Sequence, residues 1–479
     1  MKPYLSINPM KLALLITIIV ALEGCKMLGI NYERPAVAVP PQYMEAAAEN
    51  AQSEIPNQWW TLYQDEALNA LVEKALSNNT NVQLAVARIE EADARMREVG
   101  AALLPSVDLG SAAARSRVTE AGSFPTFGSN PRNNYNFALN SSIELDFWGK
   151  LSRAKEAARA DYLSTQFAKE TVMWSLSSLV ADNYLNIRSM DTQLALTKDN
   201  LKISEESLAL TKRRLEGGVV SSLDVYQAQL VHDNLLSQAQ EFIRQRALSE
   251  HQLAVLTGEL DLKVTQSDLL ALPIPPSPPA GLPSSLMESR PDVRQAEQAM
   301  VAANANIGVA KAALYPSISL TGSLGGESLE LGDILKSAAR IWSLGVSLNL
   351  PIFNSGKLDA RVDQASAKQK QALANYQGAI QTAFREVNDA LVNVRQYKAQ
   401  EAIAQSKQET AKKMLEVAQN RYKAGYSAYI DVLDAQRSHH EATQACVQSR
   451  QHVLVATVDL FKALGRGWNV PQADKVTGK

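Results

Sequence analysis

The chain is organised around residues 421–436, which read RYKAGYSAYIDVLDAQ. Helical periodicity runs into this stretch and out of it, and Gly425 stands where the first helix should end. Asp431 and Asp434 follow in the opening turns of the next helix, where the helix dipole favours acidic side chains. The stretch therefore predicts two antiparallel helices joined by a short turn. A plain helical hairpin without further function explains this stretch alone equally well.

The stretch occurs twice, because residues 214–229 read RLEGGVVSSLDVYQAQ. At one constant offset Gly218 corresponds to Gly425, and Asp224 corresponds to Asp431. A heptad seam rich in small residues follows each copy, which indicates closely packed helices. The seam residues are Val225, Ala228, His232, Leu235, Ala239, Phe242, Arg246, Ser249, Leu253 and Leu256, and then Val432, Ala435, His439, Ala442, Cys446, Ser449, Val453, Ala456, Leu460 and Ala463.

The composition excludes two classes of protein. The chain has 479 residues, of which 46% are hydrophobic, and a formal net charge of −2. A nucleic-acid-binding protein would carry a basic excess, and a disordered chain would be less apolar. The sequence therefore indicates an ordered protein with no nucleic-acid partner.

The N-terminus has the pattern of a bacterial lipoprotein signal. An apolar run from Leu12 to Leu22 is too short to span a membrane and is typical of a signal peptide. It ends in Leu-Glu-Gly-Cys25, with the small residue before cysteine that lipoprotein signal peptidase needs, although Glu23 departs from the usual small or apolar residue. We expect a signal peptide at 1–24, lipidation at Cys25 and an extended arm over 25–57. An ordinary secretory signal with an incidental cysteine is the alternative.

Two stretches, residues 134–148 and 341–353, alternate apolar and polar side chains. This period of two predicts β-strands with one apolar face, and their partners would be residues 106–118 and 317–325. The apolar face would point inward in a soluble sandwich but toward lipid in an outer-membrane barrel. In the barrel interpretation the lipid-facing residues include Leu139, Ile143, Leu344, Val346 and Leu348.

Two long helices are predicted at residues 150–215 and 357–422, which contain no proline. At about 1.5 Å per residue each would be about 100 Å long, which no compact domain holds. A shorter helix is predicted at 65–104. Four strands are too few to close a membrane barrel, since about eight are needed and open edges do not occur in lipid. The barrel would therefore be shared, with eight strands from two chains or twelve from three.

The repeat sets the domain boundaries that we expect. They are a first structural repeat at 58–272, a Pro-rich linker at 273–291, a second repeat at 292–468 with its tip turn at 422–430, and a C-terminal tail at 469–479. The predicted fold class is mainly α with a membrane β-barrel portion, built as two tandem repeats.

Together these features resemble the TolC-type outer-membrane factors, in particular the NodT-like lipoproteins that serve RND-type pumps. The resemblance covers essentially all of the mature chain. The motifs that carry it are the lipoprotein signal at Leu22–Cys25, Trp59-Trp60, Leu282-Pro283 with Leu286, Arg290-Pro291-Asp292, Ala296-Glu297, both hairpin turns with residues 431–436 above all, and Gly465-Arg466-Gly467-Trp468, in which Arg466 is a departure.

The resemblance implies a homotrimer in the Gram-negative outer membrane, with a 12-stranded β-barrel and a 12-helix periplasmic barrel. It implies outer-membrane lipid, a periplasmic adaptor and an inner-membrane RND-type pump as partners, and no cofactor. The implied function is the exit duct of a tripartite efflux system for small molecules such as drugs. A type I protein-secretion duct and a lipid-anchored coiled-coil scaffold are the alternatives.

The resemblance also assigns roles at the tip. Asp431 and Asp434 would form the periplasmic gate. Relatives can lock the tip with an arginine at the position of Ser427, bonded to the equivalent of Asp224, so a different contact must lock this tip. The residues expected to dock the adaptor are Gly218, Val219, Ser222, Asp224, Gly425, Tyr426, Ser427 and Tyr429.

An enzyme is the remaining class to consider. The sequence contains no nucleophile elbow and no phosphate-binding loop. Two of the five histidines, His232 and His439, occupy matched seam positions, but a metal site would need further ligands at suitable spacing. Cys446 is the only cysteine besides Cys25, so no structural disulfide is predicted. We therefore expect no catalytic residues and no bound metal.

Overall fold

The computed structural model of the chain describes residues 27–37, 40, 43, 56–119, 121, 129–276 and 286–465. The predicted signal peptide, Cys25, most of the arm, much of the linker and the C-terminal tail lie outside these residues. The helices are α1 (Glu66–Asn78), α2 (Thr80–Ala101), α3 (Lys150–Glu216), α4 (Ser222–Thr257), α5 (Leu286–Ser289), α6 (Pro291–Ala312), α7 (Lys357–Lys423) and α8 (Tyr429–Leu464). The strands are β1 (Ser106–Ser116), β2 (Arg132–Leu145), β3 (Ser317–Ser328) and β4 (Arg340–Asn349).

The two long helices are confirmed, since α3 and α7 each contain 67 residues. The single helix predicted at 65–104 is wrong, because the backbone is extended at Asn79 and separates α1 from α2. The Asn79 side chain accepts a hydrogen bond from the Asn81 amide at 2.9 Å and donates one to the Leu256 carbonyl at 2.9 Å. Asn79 thus caps α2 and joins it to α4, which is typical of asparagine at a helix N-terminus.

Two compact units make up the chain, and the first contains the whole β-sheet. Of the described residues, this unit comprises those within 27–36, 88–166 and 295–377. Its four strands pair in sequence order, β1-β2-β3-β4, and all pairs are antiparallel. In the described chain β1 and β4 are therefore the edges of the sheet, and each has one side without a hydrogen-bonded neighbour.

The strand ends differ from the prediction for identifiable reasons. β2 stops at Leu145 because the Asp146 carboxylate accepts hydrogen bonds from the amides of Leu151 at 2.9 Å and Ser152 at 2.8 Å, which starts α3. β4 stops at Asn349, two residues before Pro351, which has no amide hydrogen to continue the pairing. No helix in the described ranges is both long enough and apolar enough to cross a membrane.

The second unit comprises the described residues within 37–87, 167–294 and 378–465. Its largest core forms around Trp59, Trp60 and Tyr63, which pack with apolar residues of α1, α3, α4 and α8. The Trp59 ring stacks on Phe461 at 5.6 Å, and the Tyr63 hydroxyl donates to the Leu454 carbonyl at 2.9 Å. The heptad seams are confirmed, because most of their residues are buried, including Ala228, Leu235, Ala239, Phe242, Leu253 and Leu256, and Val432, Ala435, Cys446, Ser449, Val453, Ala456, Leu460 and Ala463.

Candidate functional site

The two hairpin turns at the tip have the same backbone. Gly218 has φ +72° and Gly425 has φ +78°, a left-handed conformation that glycine adopts without steric cost. The Val219 amide donates to the Arg214 carbonyl at 2.9 Å, and the Tyr426 amide donates to the Arg421 carbonyl at 2.9 Å. Both bonds close the end of a helix in the manner of a Schellman motif. The repeat in the sequence is thus also a repeat in structure.

Asp224 is engaged within its own turn. Its carboxylate accepts hydrogen bonds from the Ser221 hydroxyl at 2.7 Å and the Ser221 amide at 2.9 Å, which completes a capping box at the start of α4. These bonds from Ser221 lower the pKa of the Asp224 carboxyl below its usual range. On the other turn, the Ser427 hydroxyl oxygen is buried and makes no hydrogen bond to any described residue.

Tyr429 does not lie on the outward surface, contrary to the orientation expected for a docking residue. It is 7% exposed and packs with Leu208 and Ala228 across the two hairpins. Its hydroxyl hydrogen-bonds the Ser207 hydroxyl on α3. Val219 and Tyr426, by contrast, are 73% and 78% exposed, and Gly218, Ser222 and Gly425 are exposed as well, as expected for docking residues.

A second contact between the hairpins lies beside Tyr429. Arg214 on α3 hydrogen-bonds the Tyr422 hydroxyl on α7, and its guanidinium lies 5.0 Å from the centre of the Tyr422 ring. The rings of Tyr422 and Tyr429 are 5.3 Å apart. These four residues, Ser207, Arg214, Tyr422 and Tyr429, form what we call the tip clasp. Sequence patterns could not pair them, because nothing local indicates which helix each side chain meets.

Asp431 and Asp434 are both exposed on the first turns of α8. Together with Lys413, Arg421 and Ser427 they line one groove on the surface of α7 and α8. Asp434 also lies 3.5 Å from the Arg437 guanidinium, an exposed contact that contributes little in water. The structure of one chain therefore leaves both carboxylates accessible on one side of the tip.

The sheet has one apolar face, and among the described residues no second sheet packs against it. On this face the pairing register aligns Leu139, Leu324 and Trp342 in one row and Ile143, Leu320 and Val346 in another, with Leu344 in the row between them. Large side chains on this face are strongly exposed, with Trp342 at 75% and Leu344 at 81%. Ile143 is half-buried, while Leu139, Val346 and Leu348 are exposed.

The opposite face of the sheet is polar. Hydroxyl pairs bridge neighbouring strands, with 3.0 Å between the Oγ atoms of Ser106 and Ser142 and 2.8 Å between those of Ser323 and Ser343. A sheet with an apolar side and a hydroxyl-rich side matches the wall of a water-filled membrane barrel.

The segment that follows Cys25 is fastened to the first unit. The Leu28 amide donates to the Trp148 carbonyl at 3.1 Å, and Arg153 donates to the Leu28 carbonyl at 3.3 Å. Farther on, Arg34 holds the Glu297 carboxylate with two hydrogen bonds of 2.6 and 2.8 Å. Cys25 itself lies outside the described residues, so its lipidation stays a prediction.

Comparisons with known proteins give consistent matches over both repeats. A family model described as outer membrane efflux protein matches residues 71–259 and 282–466. The chain is 33% identical to the toluene efflux pump outer membrane protein TtgI of Pseudomonas putida, covering 94% of this chain and 97% of that protein. It is 32% identical to the cation efflux system protein CusC of Escherichia coli, covering 94% and 97%.

Solved structures agree with these matches. The open state of the MtrE outer membrane channel of Neisseria gonorrhoeae superimposes with a TM-score of 0.84 at 30% identity, covering 92% of this chain and 98% of that chain. The outer-membrane channel OprN gives a TM-score of 0.86 at 28% identity, covering 92% and 99%.

Proposed function

The chain belongs to the outer membrane efflux protein family, and we infer from this that it forms the outer-membrane channel through which an efflux system discharges small molecules. The observation that carries this inference is the sheet, whose exposed apolar face and hydroxyl-rich opposite face suit a barrel wall between lipid and water. The chain acts in the outer membrane of a Gram-negative cell, as its relatives do.

A single chain cannot complete such a barrel. Its four strands leave β1 and β4 as open edges, and unsatisfied backbone groups are not tolerated in lipid. Pairing β4 of one copy with β1 of the next removes every edge, and three copies give twelve strands. The trimer also brings three pairs of hairpins together at the periplasmic tip.

The finer proposal concerns partners and cargo. A periplasmic adaptor would dock on the exposed turn residues Gly218, Val219, Ser222, Gly425 and Tyr426, and an inner-membrane pump of the RND type would deliver the cargo. TtgI is named for toluene and CusC for cations. The polar face of the sheet carries mainly hydroxyl and amide side chains, which suits a duct that passes varied small solutes and leaves selection to the pump.

The remaining proposals concern membrane attachment and the gate. Leu139, Ile143, Leu344, Val346 and Leu348 would face lipid. Acyl chains on Cys25 would hold the N-terminus at the membrane, since more than one chain makes attachment stable. In the trimer Asp431 and Asp434 would point toward the pore and form two rings of three carboxylates.

Planar-bilayer recording of the purified protein tests the channel function. We expect stepwise conductance and a trimer band in gel electrophoresis that disappears on heating. A coiled-coil scaffold would give neither, so a folded, helical protein lacking both would contradict the proposal. Expressing the protein in a strain that lacks its own gene distinguishes the cargo classes. An efflux duct would restore resistance to small compounds, whereas a secretion duct would restore export of a protein.

A further inference from the structure

A cavity of about 570 Å³ lies in the second unit, between the helices of both hairpins. Residues of α3, α4, α7 and α8 line it, and four of their polar side chains form a continuous hydrogen-bonded series across three helices. They are Asn200 on α3, Gln238 on α4, and His440 and Gln444 on α8. Nothing in the proposed channel function accounts for this polar series inside a helical bundle.

The bonds of the series run in one direction. The Asn200 amide nitrogen donates to the Leu196 carbonyl at 2.9 Å and lies 2.9 Å from His440 Nδ1. His440 Nε2 lies 2.9 Å from Gln238 Oε1, and Gln238 Nε2 donates to Gln444 Oε1 at 3.0 Å. His440 therefore connects α8 to both helices of the α3–α4 hairpin.

This arrangement admits one protonation state of His440. Turning the Asn200 amide over would set its oxygen against the Leu196 carbonyl oxygen, so the amide nitrogen must face His440 Nδ1. Nδ1 therefore accepts a hydrogen bond and carries no proton, while Nε2 donates to Gln238. A second proton on Nδ1 would oppose the N–H groups of Asn200, and the bond between α8 and α3 would be lost.

The charges around His440 do not compensate for its burial. Glu441 and Arg437 on α8 and Glu241 on α4 line the same cavity, His439 is adjacent, and the lining residues of α3 and α7 are uncharged. Burial lowers the pKa of His440 from its usual range, opposed by Glu441 and supported by His439. The cavity gives water access to the imidazole, so protons can reach it.

We propose that His440 is an acid-sensitive tie between the two hairpins, which holds α8 against α3 and α4 while the imidazole is neutral and releases it on protonation. If the chain is a channel as proposed above, this release would favour opening of its periplasmic end. The periplasm follows the external pH more closely than the cytoplasm does, so the tie would couple the duct to acid outside the cell.

The direction of the effect follows from proton linkage. In the tied state the histidine resists protonation, whereas in a released, solvated state it titrates near its ordinary value of about 6.5. As the pH falls below about 6.5 the released state therefore binds more protons and gains population. Between pH 7.5 and 5.5 the ratio of released to tied protomers would rise by up to about tenfold.

The sharpest test replaces His440 by glutamine. The glutamine carbonyl can accept from Asn200 and its amide can donate to Gln238, so His440→Gln keeps the tie but cannot titrate. The matched control is His439→Gln, which removes the neighbouring histidine, a residue outside the series whose pKa is lowered by burial and by Lys412. The full-length trimer in planar bilayers would be recorded at pH 7.5 and 5.5.

We expect the wild type and His439→Gln to spend more time open at pH 5.5, and His440→Gln to show a clearly smaller change. Asp182, whose pKa burial and the nearby Asp459 raise to about 7, also titrates in this range but is present in all three proteins. An equal acid response in His440→Gln, or no response in a conducting wild type, would overturn the proposal.

Hydrogen exchange separates the tie from the channel function. Peptides covering residues 436–446 should exchange faster in the wild type than in His440→Gln at pH 5.5, and equally at pH 7.5. Comparing the two proteins at one pH removes the intrinsic pH dependence of exchange. Equal exchange at pH 5.5 would overturn the tie whether or not the protein conducts, whereas lack of conductance with the exchange difference present would contradict only the channel.

Discussion

Tyr429 illustrates how a single side chain joins the two hairpins. Its ring fills the space between Leu208 and Ala228, and its hydroxyl bonds Ser207. Relatives can use an arginine at the position of Ser427, but here the serine hydroxyl is buried and makes no bond to a described residue. We therefore propose that the tip clasp is the contact that locks the tip, which the sequence alone did not identify.

Tyr429→Phe should loosen the tip while leaving the fold intact. The phenylalanine ring keeps the packing, and only the hydrogen bond to Ser207 is lost, at a cost of about 1 kcal/mol. That cost corresponds to about a fivefold rise in the ratio of released to held protomers, which should lengthen the open time of the channel in bilayer recordings. Tyr426→Phe is the control, since Tyr426 is exposed and outside the clasp. Equal open times of the two variants would show that the clasp does not hold the tip.

At the scale of elements, the sequence predicted those helices and strands that depend on interactions between residues close together in the chain. The alternation around Leu139 and Val346 predicted two of the strands because side chains in a strand point to opposite faces in turn. The helical break at Asn79 and the partners of Tyr422 and Tyr429 were missed, because they depend on contacts with residues far away in the chain. The early end of β2 was missed for another reason. The alternating pattern continues for three residues beyond Leu145, and the prediction followed this pattern, whereas in the structure Asp146 caps α3 and ends the strand.

The two faces of β4 should respond oppositely to charge. Leu348 pairs with Ile318 on the apolar face, whereas Ser347 pairs with Ser319 on the polar face. Leu348→Arg should therefore reduce trimer assembly, at a cost below the value of about 2–4 kcal/mol for a mid-membrane arginine, because Leu348 lies next to the last residue of β4. Ser347→Arg should assemble normally, because its side chain would lie in water. Quantifying the trimer in isolated membranes checks this, and the reverse order would contradict the barrel assignment.

The turn at Gly425 should tolerate little change in backbone conformation. A Cβ there would meet no atom within 4 Å, so the effect of a substitution comes from φ +78° and not from crowding. Gly425→Val should distort the turn at a cost of about 1–2 kcal/mol and weaken cross-linking to the adaptor, while trimers still form.

Gly378→Ala is the matched control for Gly425→Val, because Gly378 lies within α7, has equally open surroundings and lacks a positive φ. Alanine there should be neutral or slightly stabilising. Normal adaptor cross-linking in the Gly425 variant would argue against docking at the turn.

At the scale of the whole molecule, the described chain is one part of a closed assembly. Two strand edges remain open, an apolar sheet face is exposed, and both acids at the start of α8 are accessible. In a trimer, the open edges of neighbouring copies would pair with each other, and the apolar face would lie against lipid. The same symmetry would turn Asp431 and Asp434 into rings, so a gate made of these residues is a property of the trimer that no single chain possesses.

Replacing both Asp431 and Asp434 by alanine should change ion selectivity without affecting assembly. Two carboxylates about 6 Å apart repel by about 3 kcal/mol at an effective dielectric constant near 20, so closely spaced rings attract cations into the pore. Without them we expect weaker cation preference and weaker block by divalent cations in single-channel recordings. The seam that begins at Val432 is untouched, so the trimer should form normally.

The control for this variant removes two acids from a different helix, α7, by combining Asp389→Ala with Glu409→Ala. Both side chains are exposed and pair within their own helix, Asp389 with Arg385 at 2.8 Å and Glu409 with Lys413 at 2.8 Å. The net charge of the chain changes equally in the two variants, so only position distinguishes them. Were selectivity and divalent block to change alike in both, the effect would belong to overall charge, and Asp431 and Asp434 would be ordinary acids at a helix start, favoured there by the helix dipole.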